Sequence, residues 1–251
     1  MKKLALPLLA LLLSSGVTAQ AQLGGLSIKK PSLGTSSSST SSAGDIDKVI
    51  EQGIKILAFT TIGTEIGYRS SLKMLEAFPP EKVAHIKALS EKVNEAKKKR
   101  TKDGNMDASE VTAVSDFTAA IAKLEGNWKD YKKDKAKAVV PAYTGVGLML
   151  GADAIAGTQV PEFLKAAQQT VSGAGADPSL LTKVRDLNAL IVTLTVVSKQ
   201  LPNQVQSGNT IRTIAKNIAQ AENIKLGEAP KVESPDPAAL KKQSASVEIE
   251  G

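Results

Sequence analysis

From about residue 45 to residue 225, apolar residues recur at steps of three and four, and no stretch keeps the two-residue alternation of a half-buried strand. A helix buries every third or fourth residue and a strand every second, so this regularity points to packed helices. Between 80 and 100 the stripe is Val83, Ile86, Leu89 (or Ala88), Val93 and Ala96, with lysine and glutamate on the other face. Pro79-Pro80 marks its start, and Glu81 sits in the first turn, where the helix dipole favours an acid. Asp103-Gly104-Asn105 is a turn signal, and Asp107 with Glu110 makes an acidic analogue of a capping box. From there to 138, Val114, Phe117, Ile121, Leu124, Trp128 and Tyr131 alternate at three and four, a coiled-coil-like seam. The short polar turn between the two stretches predicts an antiparallel helical hairpin.

The later part of the chain reads the same way. Pro178 opens a helix with Leu181, Val184, Leu187, Ile191, Leu194 and Val197 on one face, and Pro202 is expected to end it. A last helix, from Asn209 to Lys225, carries Ile211, Ile214, Ile218 and Ala221. Two segments are rich in small residues. The first helix, about 45 to 77, contains Gly63-x-x-x-Gly67, with Gly53, Thr60, Thr64 and Ser71 also small. The stretch 138 to 160 contains Gly147-x-x-x-Gly151 followed by Ala152-x-x-x-Ala156. Small residues four apart let two helix backbones approach closely, so these segments are expected to pack against each other. Each helical glycine costs about 1 kcal/mol of propensity, which only a close partner helix offsets. The expectation is an all-α, antiparallel helical bundle of about five to six helices over 44–226.

The ends differ from this body. Lys2 and Lys3, the apolar run Leu4 to Leu13, and Ala19-Gln20-Ala21 have the order of a secretory signal peptide. The apolar run is far shorter than the roughly 20 residues that span a bilayer. Cleavage near Ala21 would place the protein in the periplasm or outside the cell. Residues 22–43 read as a serine-rich linker, and 227–251, with scattered charge and prolines, as a disordered tail. Loss of Lys2 and Lys3 lowers the formal charge of +7 by two, to +5. The chain has no cysteine, so it forms no disulfide, offers no thiolate ligand or nucleophile, and lacks the residue that carries a lipoprotein anchor. Aromatics are only 3%, which leaves aliphatics and alanine to make the core.

Chemistry is mostly excluded. His85 is the single histidine, too few for a helical zinc pair or a ferritin-like di-iron site, and it reads as a surface residue. Asp103, Asn105 and Asp107 resemble the start of a calcium loop. That register, however, puts Ala108 where glycine is required and Val114 where the bidentate glutamate belongs. No Walker pattern or strand-Gly-x-Gly-helix occurs, so no metal, nucleotide or other cofactor is expected. Glu65 lies in a nearly uncharged stretch with Arg69 four residues on, and Asp153 ends the uncharged run 138–152. Both acids are expected to mark the solvent faces of their helices; facing inward, they would be buried acids with raised pKa and a candidate interaction site.

Lysine concentrates at Lys97-Lys98-Lys99-Arg100-Lys102 and at Lys129 to Lys137, beside Trp128 and Tyr131. Export and the hairpin geometry separate the two clusters from each other and from nucleic acid, so both read as solvated faces. An anionic lipid surface is the alternative partner. The functional expectation is an exported, non-enzymatic protein acting through contacts with an envelope protein, as scaffold, adaptor or chaperone-like factor. One alternative is membrane insertion by the glycine-rich 138–160 segment, as in helical pore-forming toxins. The other is an enzyme using carboxylates without histidine.

Overall fold

The computed structural model of the protein describes residues 42–174, 177–228 and 231–249. The expected signal peptide and the linker up to residue 41 lie outside the described residues. Among the described residues there are six α-helices and no strand, an all-α bundle. α1 (Ala43–Leu75) starts at a capping box, in which the Ser42 hydroxyl accepts from Asp45 N and the Asp45 carboxylate accepts from Ser42 N. α2 (Pro80–Lys97) begins at a proline and buries Val83, Ile86, Val93 and Ala96. α3 (Ala108–Ala122) is capped by Asp107, whose carboxylate accepts from Glu110 N at 2.9 Å.

α3 is shorter than its apolar seam. The helix passes into 3₁₀ turns at Lys123–Asp130 and Lys133–Ala138, and Asn127 leaves helical geometry at φ −126°. Gly126 and Asn127 are weak helix formers, and the seam offers little to hold them. Leu124 is still buried, but Trp128 and Tyr131 pack on the core only at its margin, their rings stacked 6.5 Å apart. The coiled-coil reading therefore ends at Leu124.

α4 (Val139–Ala174) and α5 (Leu181–Ala221) are the long central helices. The most extensive packing joins α1 with α4 and α4 with α5. α5 runs through Pro202, the expected stop, and α4 runs through Pro161. Proline removes one backbone donor, so Gly157 and Ser198 lose the helical partners of their carbonyls. The helix nevertheless continues, because Leu194, Val197, Leu201, Gln204, Ile211 and Ile214 form one buried stripe across Pro202. A break there would drive half of that stripe out of the core.

The C-terminal segment also differs from expectation. Residues 231–236 are irregular, but Pro237–Ile249 form α6, which packs on α1 and α4. Two apolar residues in this polar stretch, Val232 and Leu240, are 8% and 1% exposed. They join Phe59, Ile66, Leu148, Ala152 and Ile155 in a small satellite core. The hydrophobic effect acts on these two side chains even though the local sequence carries no periodicity.

Candidate functional site

The helical rise sets Glu65 and Arg69 one turn apart on the outer face of α1, where Arg69 Nη2 donates to Glu65 Oε1 at 2.7 Å. The α2–α3 turn folds back over this face. Gly104 supplies the left-handed residue the turn requires, at φ +75°. Gly104 N donates to Thr101 O at 2.9 Å, and Thr101 N to Asn105 O at 3.0 Å. Met106 N donates to Thr61 Oγ1 at 3.2 Å and so pins the turn to α1. The result is a cleft of about 370 Å³ between α1, the turn and α6. Ala58, Ile62 and Ile66 are its apolar lining; Glu65, Arg69, Arg100, Asp103, Lys241 and Ser244 supply its polar groups.

One wall of the cleft is an ion network centred on Arg100. Its guanidinium grips both carboxylate oxygens of Glu110, Nε to Oε2 at 2.9 Å and Nη2 to Oε1 at 2.6 Å. Nη1 reaches Glu65 Oε2 at 3.1 Å. Such a two-pronged pair fixes direction as well as distance. Glu110 is 2% exposed and would be costly to bury without this partner. Lys97 Nζ sits 3.7 Å from Glu65 and 4.5 Å from the centroid of the Tyr68 ring. Burial alone would raise the Glu65 pKa, but Lys97, Arg100 and Arg69 together hold it below the ordinary value. The hydrogen bond to Glu110 pushes the Arg100 pKa up, against the effect of burial, and burial lowers that of Lys97.

The two acids expected on solvent faces are placed differently. Glu65 is half-buried in the network, and Asp153 is 3% exposed, with Oδ2 lacking any hydrogen-bond partner among the described residues. Burial pushes the Asp153 carboxyl well above the usual range. Asp153 is buried because α4 lies deep, with α1 and α5 covering it on two sides. Asp153 does not line the cleft, so the structure does not bring the two carboxylates into one site. A Cβ on Gly208 of α5 would meet Leu150 and Met149 of α4. In an antiparallel pair that register sets Asp153 one turn further along, at the level of Gln204. Gln204 Nε2 donates to Thr64 Oγ1 at 3.4 Å, so a polar layer crosses the core here.

The expected glycines divide between two jobs. A Cβ on Gly63 would lie 2.6 Å from that of Ala152, and one on Gly67 would overlap Met149. On α4 the matching glycine is Gly145, which faces Ser70, a residue the four-residue motif did not single out. Gly147 is only partly buried. Gly151 faces the C-terminal segment rather than α1, and a Cβ there would lie 2.7 Å from Val232 Cγ2.

Other features of the sequence take structural roles. Asp107 is a helix cap, and among the described residues no group of three or more metal-ligating side chains forms. His85 is exposed on α2. Much of the first lysine cluster is spent in pairs: Lys97 and Arg100 with Glu65, and Lys98 with Glu95 at 2.6 Å. Lys129 lies 5.8 Å from the Trp128 ring, and the Tyr131 hydroxyl donates to Glu222. Three roles do not follow from the sequence: those of Asp103 and Lys241 in the cleft, and that of Glu110 beyond its place in the cap. Ten residues separate Arg100 from Glu110, a spacing that helix-face rules do not cover.

No protein-family model, curated protein or solved structure matches this chain.

Proposed function

We propose that the chain is an exported, non-enzymatic helical protein that works by protein contact, and that its contact surface is the cleft beside α1. One observation supports this reading above the others: an apolar lining of Ala58, Ile62 and Ile66 is edged by Arg69, Asp103 and Lys241. Among the described residues, neither Asp103 nor Lys241 is engaged in an ion pair. An apolar centre inside a polar rim is the anatomy of a protein interface. The Arg100 network keeps this surface in shape while leaving Asp103 and Lys241 for a partner. The test is cross-linking capture from envelope extract with the wild-type chain and an Arg69→Glu/Lys241→Glu double variant. Recovery of the same envelope protein in repeated captures, reduced at least tenfold for the folded variant, supports the reading. Equal recovery, or no reproducible partner, overturns it.

A second reading, membrane insertion, is favoured by α4. The stretch Lys133–Ala174 is the one helix among the described residues long and apolar enough to cross a membrane, although 56% of its apolar window is buried in the bundle. A central core helix has the same composition, so the reading needs dye leakage from anionic liposomes at micromolar protein. Absence of leakage discards it.

A further inference from the structure

The link from α3 to α4, residues 123–138, crosses one end of the bundle. Lys132 N donates to Ala77 O at 2.7 Å in the α1–α2 corner, and the Tyr131 hydroxyl donates to Glu222, the C-cap of α5. Lys82, in the first turn of α2, pairs with Asp130 at 3.1 Å. Leu124 and Ala136 are buried and anchor the link, while Lys123, Lys129, Lys132, Lys133, Lys135 and Lys137 are exposed. Among the described residues none of these six lysines forms an ion pair. Against them stand only Glu125, Asp130 and Asp134, so residues 123–137 carry six positive and three negative charges, a net +3. α1 begins at the other end, about 50 Å away over its 33 residues. Its first turns carry Asp45, Asp47, Lys48 and Glu51, a net −2, so charge is polarised along the bundle.

We propose that this lysine-rich end of the bundle docks on the surface of an anionic phospholipid bilayer, with the lysines against lipid phosphates and no helix inserted. The occupant is argued from what the link offers and what it lacks. The large exposed apolar side chains among the described residues are Leu181 and Val192, neither of them in the link. A protein partner needs an apolar centre to bury, and a bilayer surface needs only charge of the right sign. Single-stranded nucleic acid would need an aromatic platform. Trp128 is partly buried, with Tyr131 stacked 6.5 Å away and the Lys129 ammonium 5.8 Å over its ring, which leaves a base little to stack on. Tryptophan and tyrosine beside lysine is also the composition found at the level of lipid headgroups. The surface is independent of the cleft, none of whose lining residues lies in 123–138.

The test is co-sedimentation of the full chain with vesicles of phosphatidylglycerol and phosphatidylcholine, mixed about one to two, against vesicles of phosphatidylcholine alone. The chain should bind the anionic vesicles only, at about 0.1 M salt, and leave them at about 1 M, where the Debye length is about 3 Å. A lysine near an anionic surface is worth roughly fivefold in partitioning, so Lys132→Glu/Lys133→Glu/Lys135→Glu should weaken binding by at least about fiftyfold. Lys92→Glu/Lys99→Glu/Lys102→Glu makes the same charge change on exposed positions elsewhere and should weaken it by less than about fivefold. The apolar run at residues 4–13 is common to all three chains, so the comparison isolates the link. Trp128 is the single tryptophan, and acrylamide quenching of its emission reads this face directly; bound vesicles should shield it. Equal loss in the two triple variants, binding that survives high salt, or binding that leaves Trp128 as accessible as before overturns the proposal. So does absence of vesicle binding, with or without uptake of a single-stranded oligonucleotide.

Discussion

Replacing Asp153 by asparagine removes an ionisable group that α4 carries into the core and changes almost nothing in shape. In the fold the carboxyl holds its proton to higher pH than in the unfolded chain, where its ordinary value is 3.8. Across the window above 3.8, until Asp153 ionises in place, the native state binds more protons than the unfolded state. Stability from this group is therefore fully present below that window and falls as pH rises through it, by about 1.4 kcal/mol per pH unit. The Asp153→Asn chain has no such dependence. The stability difference between variant and wild type should widen by about 2.5 kcal/mol between pH 4 and pH 6, if the buried acid stays neutral over that range. At about 2–4 °C per kcal/mol for a chain of this size, the melting temperatures separate by a further ~5–10 °C. Thermal unfolding followed by far-ultraviolet circular dichroism at pH 4, 5, 6, 7 and 8 measures this directly. The other carboxylates titrate alike in both proteins and cancel in the difference. A gap that stays constant with pH, or an asparagine variant that is less stable at pH 8, would refute the reasoning.

Further expectations concern packing and the ion network. Gly63→Ala forces a methyl against the Ala152 Cβ and should destabilise the fold by about 1–3 kcal/mol in urea unfolding, despite the better helix propensity of alanine. Gly157→Ala, on an exposed part of α4 with nothing within 4 Å, should instead stabilise by up to about 1 kcal/mol. Arg100→Met leaves Glu110 buried without its partner and should cost about 3–5 kcal/mol by the same measurement. Adding Glu110→Leu should recover most of that loss; a double variant as unstable as the single one would mean that Arg100 matters through Glu65 instead.

How much of this was legible in the sequence depends on the range of the forces involved. The α2 stripe reads directly because Val83, Ile86, Val93 and Ala96 share one dry face of an otherwise charged helix. The Asp107 cap is equally local, since donor and acceptor are three residues apart. Periodicity overran the end of α3 because Trp128 and Tyr131 keep the apolar spacing while the backbone at Asn127 turns away. Spacing records where apolar residues fall, not the φ and ψ that carry them. The stop rule at Pro202 failed for the opposite reason: a local cost was outweighed by a buried stripe on both sides of it. The cleft needed contacts no local pattern carries, such as Arg100 with Glu65 across 35 residues and Lys241 from the far end of the chain. An acid near the middle of an apolar helix looks the same whether it faces water or the core, and only the covering helices decided the case for Asp153.

Pro161 and Pro202 interrupt the two central helices without ending them, and their positions relative to one another have a mechanical meaning. With α4 and α5 antiparallel and Gly208 level with Leu150, the weakened rungs at Gly157 and Ser198 fall within roughly one turn of each other. Two rods softened at the same height share an elbow. α1 runs past that elbow and braces both helices beyond it: a Cβ on Gly53 would meet Phe163 and Leu190, and Lys183 Nζ pairs with Asp47 Oδ2 at 2.6 Å.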